Sequence, residues 1–472
     1  MPADARPYRQ AVASRSRFGP GALALLALGG LIVVAVVVLI LGMLFASAPV
    51  VALGAPFKLV GRAAPLVVEV KDAKHGVKAL RVSVEQAGQE HVLLDQKYDP
   101  PAPEARFRWM ASQDKSFKLA EGPGRLRVQA RNASWGGFFR GRTASIDQEF
   151  TAKLTPPRIQ ALTTQHYVNQ GGCDMVVYRV SGGAVESGVA VGSSFYRGFP
   201  MPGAAQPDVH FAIFAFPYDA PASTPLRLRA RDEASNEAVA NFNVKVLAKS
   251  FRSRTLPVDD AFLAKVVPEI AGNTPGLADS GDPVKNYLAI NRDLRKANNE
   301  ALAELSAKSQ HRFLWSKAFQ QLGSSQVEAS FADRRTYTYK GREIDRQDHL
   351  GYDLATTSGA PVSAANDGVV VKAEYFGIYG NTIVLDHGYG LLSLYGHLSN
   401  MTVNEGDTVK RGQEIGRTGA TGLAGGDHLH YSMILQATQV DPKEWWDPHW
   451  IADRITAKIA QYGKADAPAP GP

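Results

Sequence analysis

Gly425-Gly426-Asp427-His428-Leu429-His430-Tyr431-Ser432-Met433 alternates polar and apolar residues after a glycine pair. In a strand, alternate residues share a face about 6.5 Å apart. His428, His430 and Ser432 then line a polar face, and Leu429, Tyr431 and Met433 an apolar one. Two histidines at this spacing can serve one centre in two roles, one binding a metal and the other reaching a substrate or a water. An isolated His-x-His is more often a pair on a wet strand face, so the surrounding chain must decide.

The chain from about Phe331 to Asp447 is strand-rich and full of glycine, and three more short motifs precede the first. They are His349-Leu350-Gly351-Tyr352-Asp353, Asn381-Thr382-Ile383-Val384-Leu385-Asp386-His387-Gly388, and Leu394-Tyr395-Gly396-His397-Leu398-Ser399. On a straight strand His349 and Asp353 would lie about 13 Å apart, too far to share an ion held about 2 Å from each ligand. The chain is therefore expected to bend, and Gly351 permits it. His397 shares a strand face with Ser393 and Tyr395, which predicts a polar cleft wall. His387 precedes a Gly-Tyr-Gly turn and reads as structural, and His449 is given no role. Cys173 is the single cysteine, which excludes an intramolecular disulfide and a thiolate zinc site. A metal here is held by His and carboxylate.

In this combination and order the motifs resemble the lysostaphin-type, LytM-like zinc endopeptidases, over roughly residues 331–447. Pro361-Val362-Ser363-Ala364 with Gly368 and Val369 is similar to that family's hairpin, and Val403 to Gly419 to its G-D-x-V-x-x-G-Q turn. The resemblance implies a small antiparallel β catalytic domain and one Zn2+ per chain on His349, Asp353 and His430, with a fourth position open for water. It makes His428 and His397 the catalytic pair: His428 as general base, His397 orienting the water or stabilising the oxyanion, with the two roles open to exchange. Tyr395 is a weaker candidate for a transition-state contact. The implied reaction is hydrolysis of peptide cross-links in bacterial peptidoglycan. The architecture, a membrane anchor followed by a stalk, favours the D-Ala-containing cross-link. Two other readings compete with this one. The turn Val403–Gly416 is also similar to lipoyl- and biotin-carrier domains, but no lysine sits in a suitable hairpin. A non-catalytic, membrane-anchored wall-binding scaffold that recruits or activates another hydrolase is the second function class. Degenerate family members lack ligands, whereas no ligand position is substituted here.

Gly21 to Ala46 carries no charge. It exceeds the ~20 residues that cross a bilayer and the apolar core of a signal peptide. Arg6, Arg9, Arg15 and Arg17 precede it against Asp4 alone. Residues 1–20 are thus expected as a cytoplasmic tail and 21–46 as a transmembrane helix. This predicts a single-pass protein of the cytoplasmic (inner) membrane with the bulk of the chain periplasmic. Cleavage at Ala46-Ser47-Ala48 is the alternative.

The expected architecture is mainly β. Residues 47–155 and 156–250 read as two β-sandwich, immunoglobulin-like modules. Leu126-Arg127-Val128-Gln129-Ala130-Arg131-Asn132 aligns with Leu226-Arg227-Leu228-Arg229-Ala230-Arg231-Asp232, one hundred residues on, with the alternation of half-buried strands. They serve as a spacer, a wall-binding arm or a passive stalk. Residues 251–330 read as a helical linker: a short helix from Val258 to Ile270, then an amphipathic one over 282–308 started by Asp282-Pro283. The catalytic domain occupies 331–447. Residues 448–472 form a helix to about Tyr462 and a disordered tail. A wall hydrolase on a membrane needs control. The segment 258–308, the tryptophan-rich C-terminal segment, or a separate membrane or periplasmic protein is expected to supply it. The net charge of +7 suits an anionic wall or membrane. Without basic runs interleaved with aromatics or zinc-finger spacing, nucleic acid is not an expected partner.

Overall fold

The computed structural model describes residues 20–54 and 57–463. The expected cytoplasmic tail with its arginines and the last nine residues, 464–472, lie outside the described residues. Pro20–Leu44 is one helix of 25 residues without a charge. Leucines, isoleucines and valines from Leu23 to Leu44 lie exposed along it. By length and composition it is able to cross a membrane.

Beyond it strands predominate, and the chain forms two compact units. The first comprises the described residues up to Thr155 with Ala234–Asn236. A five-stranded and a three-stranded sheet share one core. Alternation places each face: Leu126, Val128 and Ala130 of the Gly122–Asn132 strand are fully buried. Arg125 and Arg127 point outward to Glu149 and Asp147 at 3.0 and 2.9 Å.

The second unit holds residues 156–233 and everything described from 237 onward. Two four-stranded sheets, Phe199–Pro200/Val209–Ala215/Cys173–Ser181/Arg158–Ala161 and Ser194–Arg197/Ala184–Val191/Leu226–Asp232/Glu237–Ala240, enclose Tyr178, Val189, Phe211 and Leu228. That core runs without a break into Trp315, Phe319, Leu354, Tyr395, Tyr431 and Trp445. Trp445 is fully buried against Trp315 and Phe319, and Trp446 lies on Tyr352 and Tyr431. Trp445 is a core residue, and Trp446 packs half-buried against that core.

The segment after Phe251 differs from its expected start. Ser253–Val258 is a strand, paired in parallel with Asp333–Tyr339. The helix begins only at Asp260, where Asp259 accepts the Phe262 N–H as its cap. A partner some eighty positions downstream overrides local helix propensity, which no local pattern announces. Asp282 and Pro283 start the next helix as expected. It runs over 283–307 with one π turn at Ile290–Leu294. Both helices pack through Leu263, Val266, Ile270, Tyr287 and Leu302 onto Tyr337, Ile378 and Tyr379.

The sheet that carries the motifs has Leu429–Leu435 at its centre, buried along its whole length. Tyr352–Ala355 pairs with it on one side and Leu391–Leu398 on the other.

Glu444 shows how the buried polar groups of this unit are held. Its carboxylate accepts the Asn169 side-chain N–H and the Cys173 backbone N–H, each at 2.7 Å. Burial nevertheless pushes its pKa from an ordinary 4.5 up to about 7. A carboxyl with a raised folded pKa stabilises the fold fully below its unfolded pKa and loses that contribution as pH rises through the folded value. Denaturant unfolding should show wild type losing up to about 3 kcal/mol, relative to Glu444→Gln, between about pH 4.5 and about pH 7. A pH-independent difference would contradict this assignment.

Candidate metal centre

Register brings the first pair of side chains together. Asp353 lies directly opposite His430 across the antiparallel ladder. His349 ends the Arg342–His349 strand, which belongs to a different sheet. The chain bends at Leu350-Gly351 and enters the Tyr352–Ala355 strand. His349 therefore returns over Asp353, as the spacing required. Gly351 is needed for room as well as for the bend. A Cβ there would lie 2.7 Å from His430 Cε1 and Nε2 and 2.6 Å from Ser432 Oγ.

Three atoms converge. His349 Nε2 is 2.9 Å from Asp353 Oδ1 and 3.1 Å from His430 Nδ1, and His430 Nδ1 is 3.0 Å from the same carboxylate oxygen. Hydrogen bonds assign the tautomers. His349 Nδ1–H donates to the Ser330 carbonyl at 3.1 Å, which leaves Nε2 with its lone pair. Ser432 Oγ donates to the Leu350 carbonyl at 2.7 Å, so at 2.8 Å it accepts from His430 Nε2–H and leaves Nδ1 with its lone pair. Two imidazole lone pairs and a carboxylate oxygen thus face one point with no hydrogen to share. Such a donor set fits a divalent cation of the zinc type. His349, Asp353 and His430 are also the one potential metal-holding group found among the described residues.

The remaining two histidines adjoin this group. His428 Nδ1–H donates to the Gly426 carbonyl at 2.8 Å, and its Nε2 reaches to 3.5 Å from Asp353 Oδ1. His397 Nδ1–H donates to the Thr421 carbonyl at 2.8 Å, and its ring centre is 4.8 Å from that of His428. His397 departs from the expected strand face. Its φ of +63° turns it out of the ladder, in the left-handed region that non-glycine residues seldom adopt. Ser393 and Tyr395 remain in the core. The Tyr395 hydroxyl accepts the Ala365 N–H at 2.7 Å and lies 3.0 Å from Ser393 Oγ, so it is structural and lies off the cavity. His387 is structural as expected, bound to the Asp367 carbonyl and Ser393 at 2.7 and 2.8 Å.

Burial disfavours charge throughout. It pushes His430 down to about 4 and, with His428 and His430 beside it, holds His397 well below the usual histidine range. Burial also opposes the charge on Asp353, but the electrostatic influence of His349, with His428 and His430 beside it, outweighs burial and holds the carboxyl well below 3.8. Burial works against a charge on His428 too, and the Asp353 carboxylate overcomes it, raising His428.

Sequence reasoning missed Arg335. Its Nη2 donates to Asp353 Oδ2 at 2.8 Å, fixing the carboxylate's second oxygen. It also missed Tyr379, whose ring centre is 5.3 Å from that of His430. Arg335 lies far from any histidine motif and is brought in by strand pairing, whereas Tyr379 sits in the short turn Gly377–Tyr379 that leads into the Asn381–Asp386 strand. A cavity of about 300 Å³ opens on His349, Asp353, His397, His428 and His430. Leu256, Phe262, Tyr287 and Arg295 of the preceding segment line it as well.

Removing the hydroxyl that orients His430 should weaken metal binding without loss of fold. Ser432→Ala is expected to lower affinity for a divalent ion about 10–100-fold, by competition with a chelating indicator, with an unchanged circular dichroism spectrum. Unaltered affinity would show that Ser432 does not set the tautomer.

Residues 347–442 match the profile described as "Peptidase family M23". Peptidoglycan DD-endopeptidase ShyA of Vibrio cholerae serotype O1 is 37% identical over 115 residues, 24% of this chain and 26% of that protein. DD-carboxypeptidase/endopeptidase Mpg of Neisseria meningitidis serogroup B is 40% identical over 121 residues, 25% of this chain and 28% of that protein. The chain thus spans about a quarter of the length of these curated relatives. The catalytic domain of lysostaphin from Staphylococcus simulans is 30% identical, covering 28% of this chain and 98% of that one, with a TM-score of 0.24. On the profile match and the curated identities, this chain carries a LytM-type domain of peptidase family M23.

Proposed function

We propose that this protein is a zinc-dependent endopeptidase that hydrolyses peptide cross-links of bacterial peptidoglycan during wall remodelling. One observation carries the proposal: three lone pairs, from His349 Nε2, His430 Nδ1 and Asp353 Oδ1, meet within 3.1 Å of one another on a cavity that also holds His397 and His428. The names of the curated relatives, one a peptidoglycan DD-endopeptidase and the other a DD-carboxypeptidase/endopeptidase, support the substrate class. The name of the ShyA relative supports a D-Ala-containing cross-link.

In this reading His349, Asp353 and His430 hold one Zn2+. When bound, the ion supplies Lewis-acid polarisation of the scissile carbonyl and makes a water acidic enough to be deprotonated at neutral pH. The chain's own groups do the rest. With Nδ1–H engaged by Gly426, His428 offers Nε2 as proton acceptor beside Asp353. It takes the proton from the attacking water and returns it to the leaving amine. With Nδ1–H engaged by Thr421, neutral His397 offers an acceptor too. That suits holding a water hydrogen and so aiming its oxygen, and leaves His397 no N–H for an oxyanion. Arg335 orients Asp353 by pairing with its second carboxylate oxygen.

The exposed apolar helix supports a membrane anchor over residues 21–46, with the N-terminus cytoplasmic and the β units and catalytic domain on the outer side. Residues 47–155 and 156–250 then act as immunoglobulin-like spacers. Leu256, Phe262 and Tyr287 on the cavity wall support a role for segment 251–330 in controlling access, alone or under a regulatory protein.

Zinc content and a muropeptide digest test the proposal on the full chain. Wild type should hold about one zinc and solubilise peptidoglycan. His430→Ala should lose both, whereas His428→Ala should keep zinc and lose about 10²–10⁴-fold in rate. Mass spectrometry should find products cut at the D-alanyl cross-link. Wild type that binds zinc yet releases nothing, like His428→Ala, would replace the enzyme with a wall-binding scaffold.

A further inference from the structure

Three exposed aromatic side chains stand together in the loop Trp135-Gly136-Gly137-Phe138-Phe139-Arg140 of the first β unit. Trp135 is 49% exposed, Phe138 85% and Phe139 56%. Adjacent phenylalanines at such exposure are unusual for a surface in contact only with water. The backbone also holds them outward, with φ of +55° at Phe138 and +66° at Phe139, a region that L side chains seldom adopt. Strained backbone of this kind persists where the surroundings impose it.

The loop is tied at its root. Phe139 N–H donates to the Trp135 carbonyl at 3.1 Å and Gly141 N–H to the Gly136 carbonyl at 2.9 Å. Arg142 N–H donates to Asn132 Oδ1 at 2.8 Å. Asn132 is fully buried, and its Nδ2 donates to the Ser47 carbonyl at 2.8 Å and to Asp72 Oδ2 at 2.6 Å. Ser47 follows closely on the end of the apolar helix at Leu44. The loop also touches that helix directly. The Trp135 ring lies on Gly42, where a Cβ would stand 2.7 Å from Cε3. Arg142 Nη2 donates to the Met43 carbonyl at 3.2 Å.

These contacts fix the height of the loop relative to any bilayer that holds the helix. The helix has 25 residues, about 37 Å at 1.5 Å per residue, against about 30 Å of hydrocarbon. Its last turn therefore reaches the headgroups, and Trp135 beside Gly42 sits at the depth where tryptophan is enriched. Phe45, 78% exposed, follows at the same end. Arg140, exposed next to the phenylalanines, adds a cation for lipid phosphates.

Building on the proposed membrane span, we infer that loop 135–140 is a second membrane contact. Phe138 and Phe139 enter the outer face of the bilayer that holds the helix, with Trp135 and Arg140 at headgroup level. The added contact holds the first β unit against the surface.

The test uses full-length protein reconstituted in phospholipid vesicles. A fluorescent probe is placed on Phe138→Cys, Phe139→Cys, Val34→Cys or Val92→Cys in separate samples. Cys173 is fully buried and does not take the label. With shallow nitroxide lipids, the probes at 138 and 139 should be quenched at least about threefold more than at 92, and be less accessible to iodide. Deep acyl-chain nitroxide lipids read the probe at 34, which lies mid-helix. If they quench 34 but 138 and 139 behave like 92 with shallow nitroxides, the loop inference is overturned and the membrane span stands. If they do not quench 34, the span itself is overturned. Shielding of 138 and 139 from both lipid quencher and iodide would mean a protein partner covers the loop, and overturns the lipid assignment.

Discussion

Three lone pairs that repel one another in the absence of a cation are pressed together by the fold. Asp353 and His430 have no freedom to separate, because they are cross-strand partners in a buried ladder. His349 is brought in by a bend that a side chain at position 351 would obstruct. The convergence depends on packing from all sides. The central Leu429–Leu435 strand is buried along its length, with Tyr431 and Met433 in the core and His430 and Ser432 turned to the polar side. The energy that crowds the donors together comes from that apolar burial. The centre is pre-organised, which is what a catalytic metal site requires of its protein.

Around the donors runs a second ring of hydrogen bonds, each decided by backbone position. Ser330 and Leu350 carbonyls, through Ser432 in one case, hold the two imidazoles on Asp353. Thr421 and Gly426 carbonyls hold the two other histidines in the same tautomer. All four rings therefore keep one nitrogen committed and one available. The proposed division of labour follows from place: those on Asp353 would be ligands, and those beside it would handle water and proton.

The donor set was legible in the sequence because its residue types are rare and their order is specific. His349, Asp353, His397, His428 and His430 all adjoin one cavity. The helix started by Asp282-Pro283 was legible through its capping chemistry, and the alternation of Leu126–Asn132 and Leu226–Asp232 through strand period. What stayed hidden depends on long-range pairing. Arg335 reaches Asp353 only because its strand is aligned with Arg342–His349. Ser253–Val258 is a strand only because Asp333–Tyr339 lies beside it. The left-handed turn at His397 and the core position of Tyr395 break the simple alternation that local reading assumes. Trp445 and Trp446 carry no local mark that separates a core tryptophan from a surface one.

The central claim is that His349, Asp353 and His430 are the protein's share of a metal centre. X-ray absorption at the zinc edge of the loaded full chain tests it most directly. The account predicts a four-coordinate shell of light atoms near 2.0–2.1 Å, with the multiple-scattering signature of two imidazoles, reduced to one in His349→Ala. A six-coordinate, water-like shell, or an imidazole count unchanged by His349→Ala, would contradict it.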